Sequence, residues 1–349
     1  MKSYKYSLMI LAILLSIAAR AQDNSVPAAN MTVSTETGKE TCDGSCCCSN
    51  SQSPVGVMTD HLHPKGSWMV SYTYMNMMMR GNRMAGKSVS NDAIYQNYVM
   101  APDYMTMQMH MLMVMYGVSD NLTIMAMGGY SMDKMNMKMD QQGIDMMMNM
   151  PGMQSNSMAM MDQMTSTSKG ISDTKLYALY GIKNTASQRL IAGLGVSLPT
   201  GTINAQGMTL TSLSDRLPYQ MQIGTGSFSV LPSLTYVRVH DKFSWGGAAM
   251  ADVKLNNNSL GYRFGNVYDG TAWAAYKLLP FMRASLRAEY VATGKIQGYD
   301  TETAMLMNND PSANTANYGG QNINGYIGLN FSSTRFKGFS LLAEYGRPV

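Results

Sequence analysis

No cysteine follows residue 48 in this chain of 349 residues. All four, Cys42, Cys46, Cys47 and Cys48, crowd into CDGSCCC. Four clustered cysteines cannot staple distant parts of a fold together, so a disulfide framework is excluded. No apolar run is long enough for a membrane-spanning helix. Charge of either sign is sparse, with 26 Lys and Arg against 22 Asp and Glu, and nothing suggests nucleic acid as a partner. G-x-S-x-G, H-E-x-x-H and Walker loops are all missing, so no enzyme is expected. Helical periodicity is hard to find beyond residue 66.

The N-terminus, MKSYKYSLMILAILLSIAARAQ, reads as a secretory signal peptide over residues 1–21. Lys2 and Lys5 form a basic start, Ser7 to Ile17 a short apolar stretch, and Ala19-Arg20-Ala21 a cleavage site. Losing Lys2, Lys5 and Arg20 from the 26 basic residues leaves 23 against 22 acidic ones. No cysteine sits directly after the site to carry a lipid anchor. Residues 22–57, rich in Ser, Thr, Asn and Gly, are expected to be a disordered periplasmic tail.

What the rest of the chain has is alternation. Trp68, Val70, Tyr72 and Tyr74 alternate with Ser67, Met69, Ser71 and Thr73. Met282, Ala284, Leu286, Ala288 and Tyr290 alternate with Arg283, Ser285, Arg287 and Glu289. Eleven such strands are predicted, at roughly 66–80, 104–117, 121–132, 172–184, 188–199, 227–240, 242–254, 268–279, 282–294, 324–332 and 338–346. The gaps alternate between long (81–103, 133–171, 200–226, 255–267, 295–323) and short (118–120, 185–187, 241, 280–281, 333–337). Long loops at one end and tight turns at the other are the pattern of an all-β, antiparallel outer-membrane β-barrel, here spanning 58–349. Such barrels normally have an even strand count, so about twelve strands are expected. The twelfth, closing strand is not visible: either the chain is a fragment or the count is off by one.

Three segments carry a family resemblance: SDTKLYALYGI (172–182), GVSLPTGTI (195–203) and YQMQIGTGSFSVLPSLTY (219–236). They match a GDT-type strand opening, an L-P-T-G strand end and a G-x-G-x5-P strand pair. In these the chain resembles a family of bacterial outer-membrane transporters named for the meta-pathway of phenol degradation. GVMTDHLHPKGSWMVSYTYMNM (56–77) and YMTMQMHMLMVMYGVSDNLTIMAM (104–127) resemble a Met-rich, metal-related branch of it. The resemblance covers roughly 56–346 and implies an outer-membrane barrel. It implies small hydrophobic or aromatic organic compounds as substrates only through the family's name.

Of the 38 methionines, 29 lie between residues 58 and 164. Met105, Met107, Met109, Met111, Met113 and Met115 alternate without a break. Met69, Met75 and Met77, and then Met125 and Met127, share a face with Ser and Thr, which points all of them into the lumen. On that assignment Gln108 and His110 face lipid, a costly place for His. Thioethers suit Cu(I) and Ag(I); the rival reading is flexible apolar filler. The predicted outer loop 133–171 adds to the first reading, since 132–164 holds 13 Met among polar residues. Sacrificial oxidation would also account for it. Cys42, Cys46, Cys47 and Cys48 are soft ligands as thiolates, or disulfide partners once oxidised. His61 and His63, beside Asp60, form a second candidate metal pair. Lys175, Arg283, Arg287 and Glu289 are expected to form a polar lumen wall.

The expected function is therefore an outer-membrane channel that binds or passes copper or silver, with no required cofactor. A channel for small hydrophobic or aromatic compounds and a metal-sequestering barrel that transports nothing are the alternatives. Membrane lipid is the expected partner.

Overall fold

The computed structural model describes residues 28–37, 53–149, 162–332 and 339–349. All eleven predicted strands are present, most within a few residues of their predicted ends. We number the strands β1 (Ala28–Thr37), β2 (Trp68–Arg80), β3 (Met100–Ser119), β4 (Leu122–Met139) and β5 (Gln163–Ile171). Then come β6 (Thr174–Asn184), β7 (Gln188–Leu198), β8 (Ser229–His240), β9 (Phe243–Lys254) and β10 (Val267–Leu279). The last are β11 (Met282–Thr293), β12 (Gly320–Ser332) and β13 (Phe339–Pro348). Every strand pairs antiparallel with its neighbours. The β3–β4 ladder closes the ring, and β5 pairs with the upper half of β4 directly above β6, which pairs with the lower half of the same edge.

The twelfth barrel strand comes from a place the alternation pattern did not reveal. It is β1, which lies between β13 and β2 and pairs with both. Ala28 sits opposite Gly346 and Thr37 opposite Trp68, so β1 runs from the long-loop end to the short-turn end. This corrects the reading of a disordered tail for residues 28–37; residues 22–27 and 38–52 lie outside the described residues. The β1 sequence, AANMTVSTET, holds only two large apolar residues and gives no strong period-two signal. The driving force is closure itself. Each unpaired backbone group facing hydrocarbon costs several kcal/mol, and β1 satisfies the exposed edges of β2 and β13 together.

The faces are inverted relative to a water-soluble sheet. Trp68, Val70, Tyr72, Leu112, Ile124, Leu194, Leu234, Trp245, Leu286 and Ile327 are exposed on the outside. Ser71, Thr73, Thr123, Ser197, Thr235, Ser244, Arg287 and Glu344 are buried inside. A barrel with an apolar exterior and polar buried interior belongs in the outer membrane, with that exterior against lipid acyl chains.

Residues 53–66 enter this interior as a plug without strand structure. Thr59 Oγ1 lies 2.7 Å from Thr235 Oγ1, and the His63 N–H donates to Thr123 Oγ1 at 2.9 Å. Val57 packs with Val237, Trp273 and Ala275, while Leu62 packs with Met115, Met125, Leu179 and Leu231. The plug thus fastens one side of the barrel to the other. Gly56 is required where it passes the Arg287 guanidinium, because a Cβ there would collide with it. The five residues 53–57, expected in the disordered tail, belong to this plug.

A second block closes the long-loop end. The segment 133–171 is not simply a loop, because Met135, Met137 and Met139 continue the alternation of β4 and the chain returns as β5. Between them lies a helix, α1 (Gln141–Met148). Met100, Met105, Met135, Met137, Met139, Met164 and Met221 form one buried cluster with Leu210 and Leu217. Beside it, Tyr219 stacks edge-on against Tyr262 (4.8 Å) and Tyr318 (5.8 Å). Arg216 Nη1 donates to Asp300 Oδ1 at 2.7 Å and ties two long loops together.

Candidate functional site

Three adjacent strands, β2, β3 and β4, turn their odd-numbered methionines to the same side. The cross-strand register joins Met69 to Met115 and Met115 to Met125. Higher up it joins Met79 to Met105 and Met105 to Met135. Met75 faces Met109, Met77 faces Met107, and Met113 faces Met127. Directly opposed residues bring their Cβ atoms to about 5 Å, which puts the side chains of each pair within reach of one another. Met115 and Met125 are fully buried, whereas their neighbours Leu112 and Ile124 are exposed on the outer face. Strand alternation puts the whole series on the lumen side, unbroken along β3 for some ten residues, or roughly 33 Å of strand, and interrupted by Ser71 and Thr73 on β2 and by Gly129, Ser131 and Asp133 on β4.

His110 points the other way. It sits on the lipid side, its Nδ1 2.6 Å from Tyr72 Oη and its ring 5.1 Å from that of Tyr74. The tyrosines on β2 supply the partner that makes an imidazole tolerable there.

The plug carries His61 and His63 to the base of the wall. The His61 Nδ1 lies 2.6 Å from Asp60 Oδ1, and the two imidazole rings are 5.0 Å apart, edge to face. Burial pushes the His63 pKa down to about 3, with the nearby His61 acting in the same direction. Burial alone would raise the Asp60 carboxyl, but the charge and hydrogen bond of His61 outweigh it and hold it well below the ordinary carboxylate range. Asp60 and His61, but not His63, line a cavity of about 50 Å³ with Met58, Met69, Met111, Met113 and Met127. The pair expected from the H-x-H spacing is therefore split between two surroundings.

The polar wall lies on the lumen side of β11 to β13. Arg287 donates to both oxygens of Glu344, at 2.9 and 3.0 Å, and to Glu289 at 2.7 Å. Glu289 also accepts from Tyr326 Oη at 2.6 Å, and the guanidinium lies 3.7 Å from the Tyr326 ring centre. Lys175 is in register with Met127 on the next strand, at the edge of the methionine series, and β7 to β10 separate it from the polar wall. Arg283 shares the face of Arg287 two rungs nearer the short-turn end and pairs in register with Asn330. Glu344 is the partner that sequence reasoning missed, although the alternation Ser340, Leu342, Glu344 places it inward.

Cys42, Cys46, Cys47 and Cys48, together with the signal peptide, lie outside the described residues. Among the described residues no three His, Cys, Asp or Glu side chains gather into a metal site. The methionines missed as site residues are Met58, on the plug, and the buried cluster at the long-loop end. The odd-numbered run Met135, Met137, Met139 repeats the alternation that marked 105–115 and would have identified it.

Residues 140–321 match the profile of a family described as "Putative MetA-pathway of phenol degradation". No curated protein matches the sequence. Among solved structures, the chain is similar to an outer membrane channel from Pseudomonas putida F1. The TM-score is 0.43 and the identity 13%, over 94% of this chain and 97% of that one. A FadL homologue from Pseudomonas aeruginosa gives 0.41 at 11% identity, over 93% and 90% of the two chains. The toluene transporter TbuX of Ralstonia pickettii gives 0.34 at 9%, over 93% and 88%.

Proposed function

The chain belongs to the MetA-pathway phenol-degradation family, and from that premise we propose that it is an outer-membrane channel for small apolar, aromatic compounds. One observation carries the reading. The lumen of an outer-membrane barrel is ordinarily polar, yet here the inner face of one strand, β3, is thioether without a break from Met105 to Met115, with further methionines beside it on β2 and β4. Methionine is apolar, flexible and polarizable. Its contacts with an aromatic ring contribute roughly 0.3–1.5 kcal/mol each, enough to favour the ring over water and too little to trap it. A ladder of such contacts suits passage.

The family match favours aromatic organics as cargo over copper or silver, so metal transport and metal sequestration give way as the main reading. The plug and the cap both occupy the interior, and passage requires at least the plug to shift. The test is uptake of radiolabelled phenol by cells with and without the gene. Uptake should fall on deletion, and should fall again when Met107, Met109 and Met111 are changed to Gln, which keeps length and adds polarity. Equal uptake with and without the gene would remove the proposal.

A further inference from the structure

We propose that the outer face of β2 to β5, just above the membrane boundary at the long-loop end, is a docking surface for the phosphorylated headgroup of an outer-leaflet glycolipid. The surface lies outside the barrel and does not depend on what the lumen carries. Two strands are longer than the rest. β3 has 20 residues and β4 has 18, whereas β6 to β13 have 10 to 13. Their surplus, with the upper part of β2 and with β5, forms a wall that stands above the acyl chains.

The outward side chains mark where the boundary falls. On the lower strands they are apolar, as at Val70, Leu112 and Ile124. Tyr74, His110 and Tyr130 then stand in register on β2, β3 and β4, the aromatic belt expected at a membrane interface. The long-loop end faces out of the cell, so this belt lies at the headgroups of the outer leaflet. Above it Gln108 and Thr106 replace leucine and valine on the outward side of β3.

Three cations occupy the same face: Arg80 on β2, Lys134 on β4 and Lys169 on β5, all exposed. Among the described residues none of them has an ion-pair partner, whereas Lys138, higher on β4, is paired with Asp103 at 3.4 Å. From the aromatic rung up to Arg80 these strands turn no acid outward. Asp133 is the acid in that stretch, and it is buried on the lumen side. A surface charged only for solubility intersperses both signs; this one carries a single sign at the height of anionic headgroups.

The spacing fits a headgroup with two phosphates. Lys134 faces Thr167, and Lys169 faces Met132 one rung lower. Such diagonal neighbours have Cβ atoms about 7 Å apart, so both ammonium groups can engage one phosphate. Arg80 is in register with Tyr104 and, through it, with Asn136. That puts it two strands away and one rung higher, roughly 12 Å from Lys134 by strand spacing and rise. Its guanidinium lies 5.6 Å from the Tyr104 ring centre, which steadies a group suited to bidentate phosphate binding. The face thus offers two separate cationic points to a disaccharide with a phosphate at each end. The acyl chains of the same molecule would descend over Leu112 and Ile124.

The probe is diphosphorylated lipid A. The protein is the full chain, refolded from inclusion bodies into neutral detergent so that it carries no native lipid. Native mass spectrometry should find a one-to-one complex. Lipid A stripped of its phosphates, and phosphatidylglycerol, should each bind at least tenfold more weakly. R80Q/K134Q/K169Q should weaken lipid A binding about a hundredfold, at about fivefold per cation. K134R/K169R keeps the charge and should bind like the parent. Changing Lys183, Arg238 and Lys277 to Gln, at the short-turn end, should leave binding unaltered. Heat-modified gel mobility reports whether each barrel has folded. Should the triple variant fail to fold, the three single changes decide, each weakening binding about fivefold. Lipid A bound with unchanged affinity by the variants or not bound at all would overturn the proposal. So would equal binding of the dephosphorylated lipid or of phosphatidylglycerol, or displacement by an equal concentration of inorganic phosphate, which would mark a site for the free anion.

Discussion

Tyr72 Oη and His110 Nδ1 lie 2.6 Å apart on the outer face of the barrel, on neighbouring strands and in contact with lipid rather than lumen. The pair resolves the one conflict in the alternation of 104–117. The ladder is regular, and the histidine that the regularity forces outward is satisfied by a tyrosine. Removing one partner leaves a polar group bare in hydrocarbon, while removing both leaves none. Tyr72→Phe should therefore destabilise the barrel by about 1–2 kcal/mol. The double variant Tyr72→Phe/His110→Leu should return close to the parent. Urea unfolding in lipid vesicles measures both.

Arg287 is buried between Glu344 and Glu289. Breaking a buried pair strands a charge and typically costs 3–5 kcal/mol. Glu344→Gln should lower the urea midpoint by an amount in that range. Replacing Arg287 and Glu344 together by Met and Gln should cost less than the single change. Equal losses would mean the two residues act independently.

The plug is the part expected to move. Gly56→Val drives a side chain into Arg287 and should displace the plug without touching any strand. Single-channel recordings in planar bilayers should show larger or more frequent openings than in the parent. Unaltered conductance would show that the plug is not the barrier.

Acid should act on the same element. His63, on the plug, has a folded pKa of about 3 against 6.5 for a free histidine. Between those values the unfolded or released plug takes up a proton that the seated plug refuses. The stability from His63 is thus full above about pH 6.5 and is lost as pH falls towards 3. Asp60, with its pKa depressed, adds a loss in the same direction below the ordinary carboxylate range. Openings should become more frequent as pH is lowered through 6, and His63→Asn should flatten that dependence.

At the long-loop end, Asp300 is paired with Arg216. Burial opposes its ionisation, but the bonds from Arg216 and Thr303 prevail and its pKa lies below the usual value. Its contribution is present above about pH 4 and lost as pH falls through its lowered pKa. Hydrogen exchange in 300–306 should accelerate there in the parent, and already be fast at neutral pH in Asp300→Asn.

Much of this was legible in the sequence because strand period and burial coincide. Leu286 and Tyr290 outside, with Arg283, Arg287 and Glu289 inside, follow from alternation alone, as does the lumen side of Met105 to Met115. The rest was hidden where alternation carries no information. β1 has mostly small and polar side chains on both faces, so only the unpaired edges of its neighbours reveal it. The plug has no period at all, and its buried His61 and Asp60 resemble any polar linker until the barrel closes around them. Met135, Met137 and Met139 were read as loop because charged neighbours masked a continuing strand.

Thr37 and Trp68 face each other across neighbouring strands at the short-turn end, and the plug lies in the chain between them. It is consequently a loop with both ends moored at one place, not a loose tail. Any movement of it out of the lumen and back needs no chain end to thread through the pore. Its local concentration stays high throughout. Such a stopper reseats in a first-order step, at a rate independent of how many copies of the protein the membrane holds.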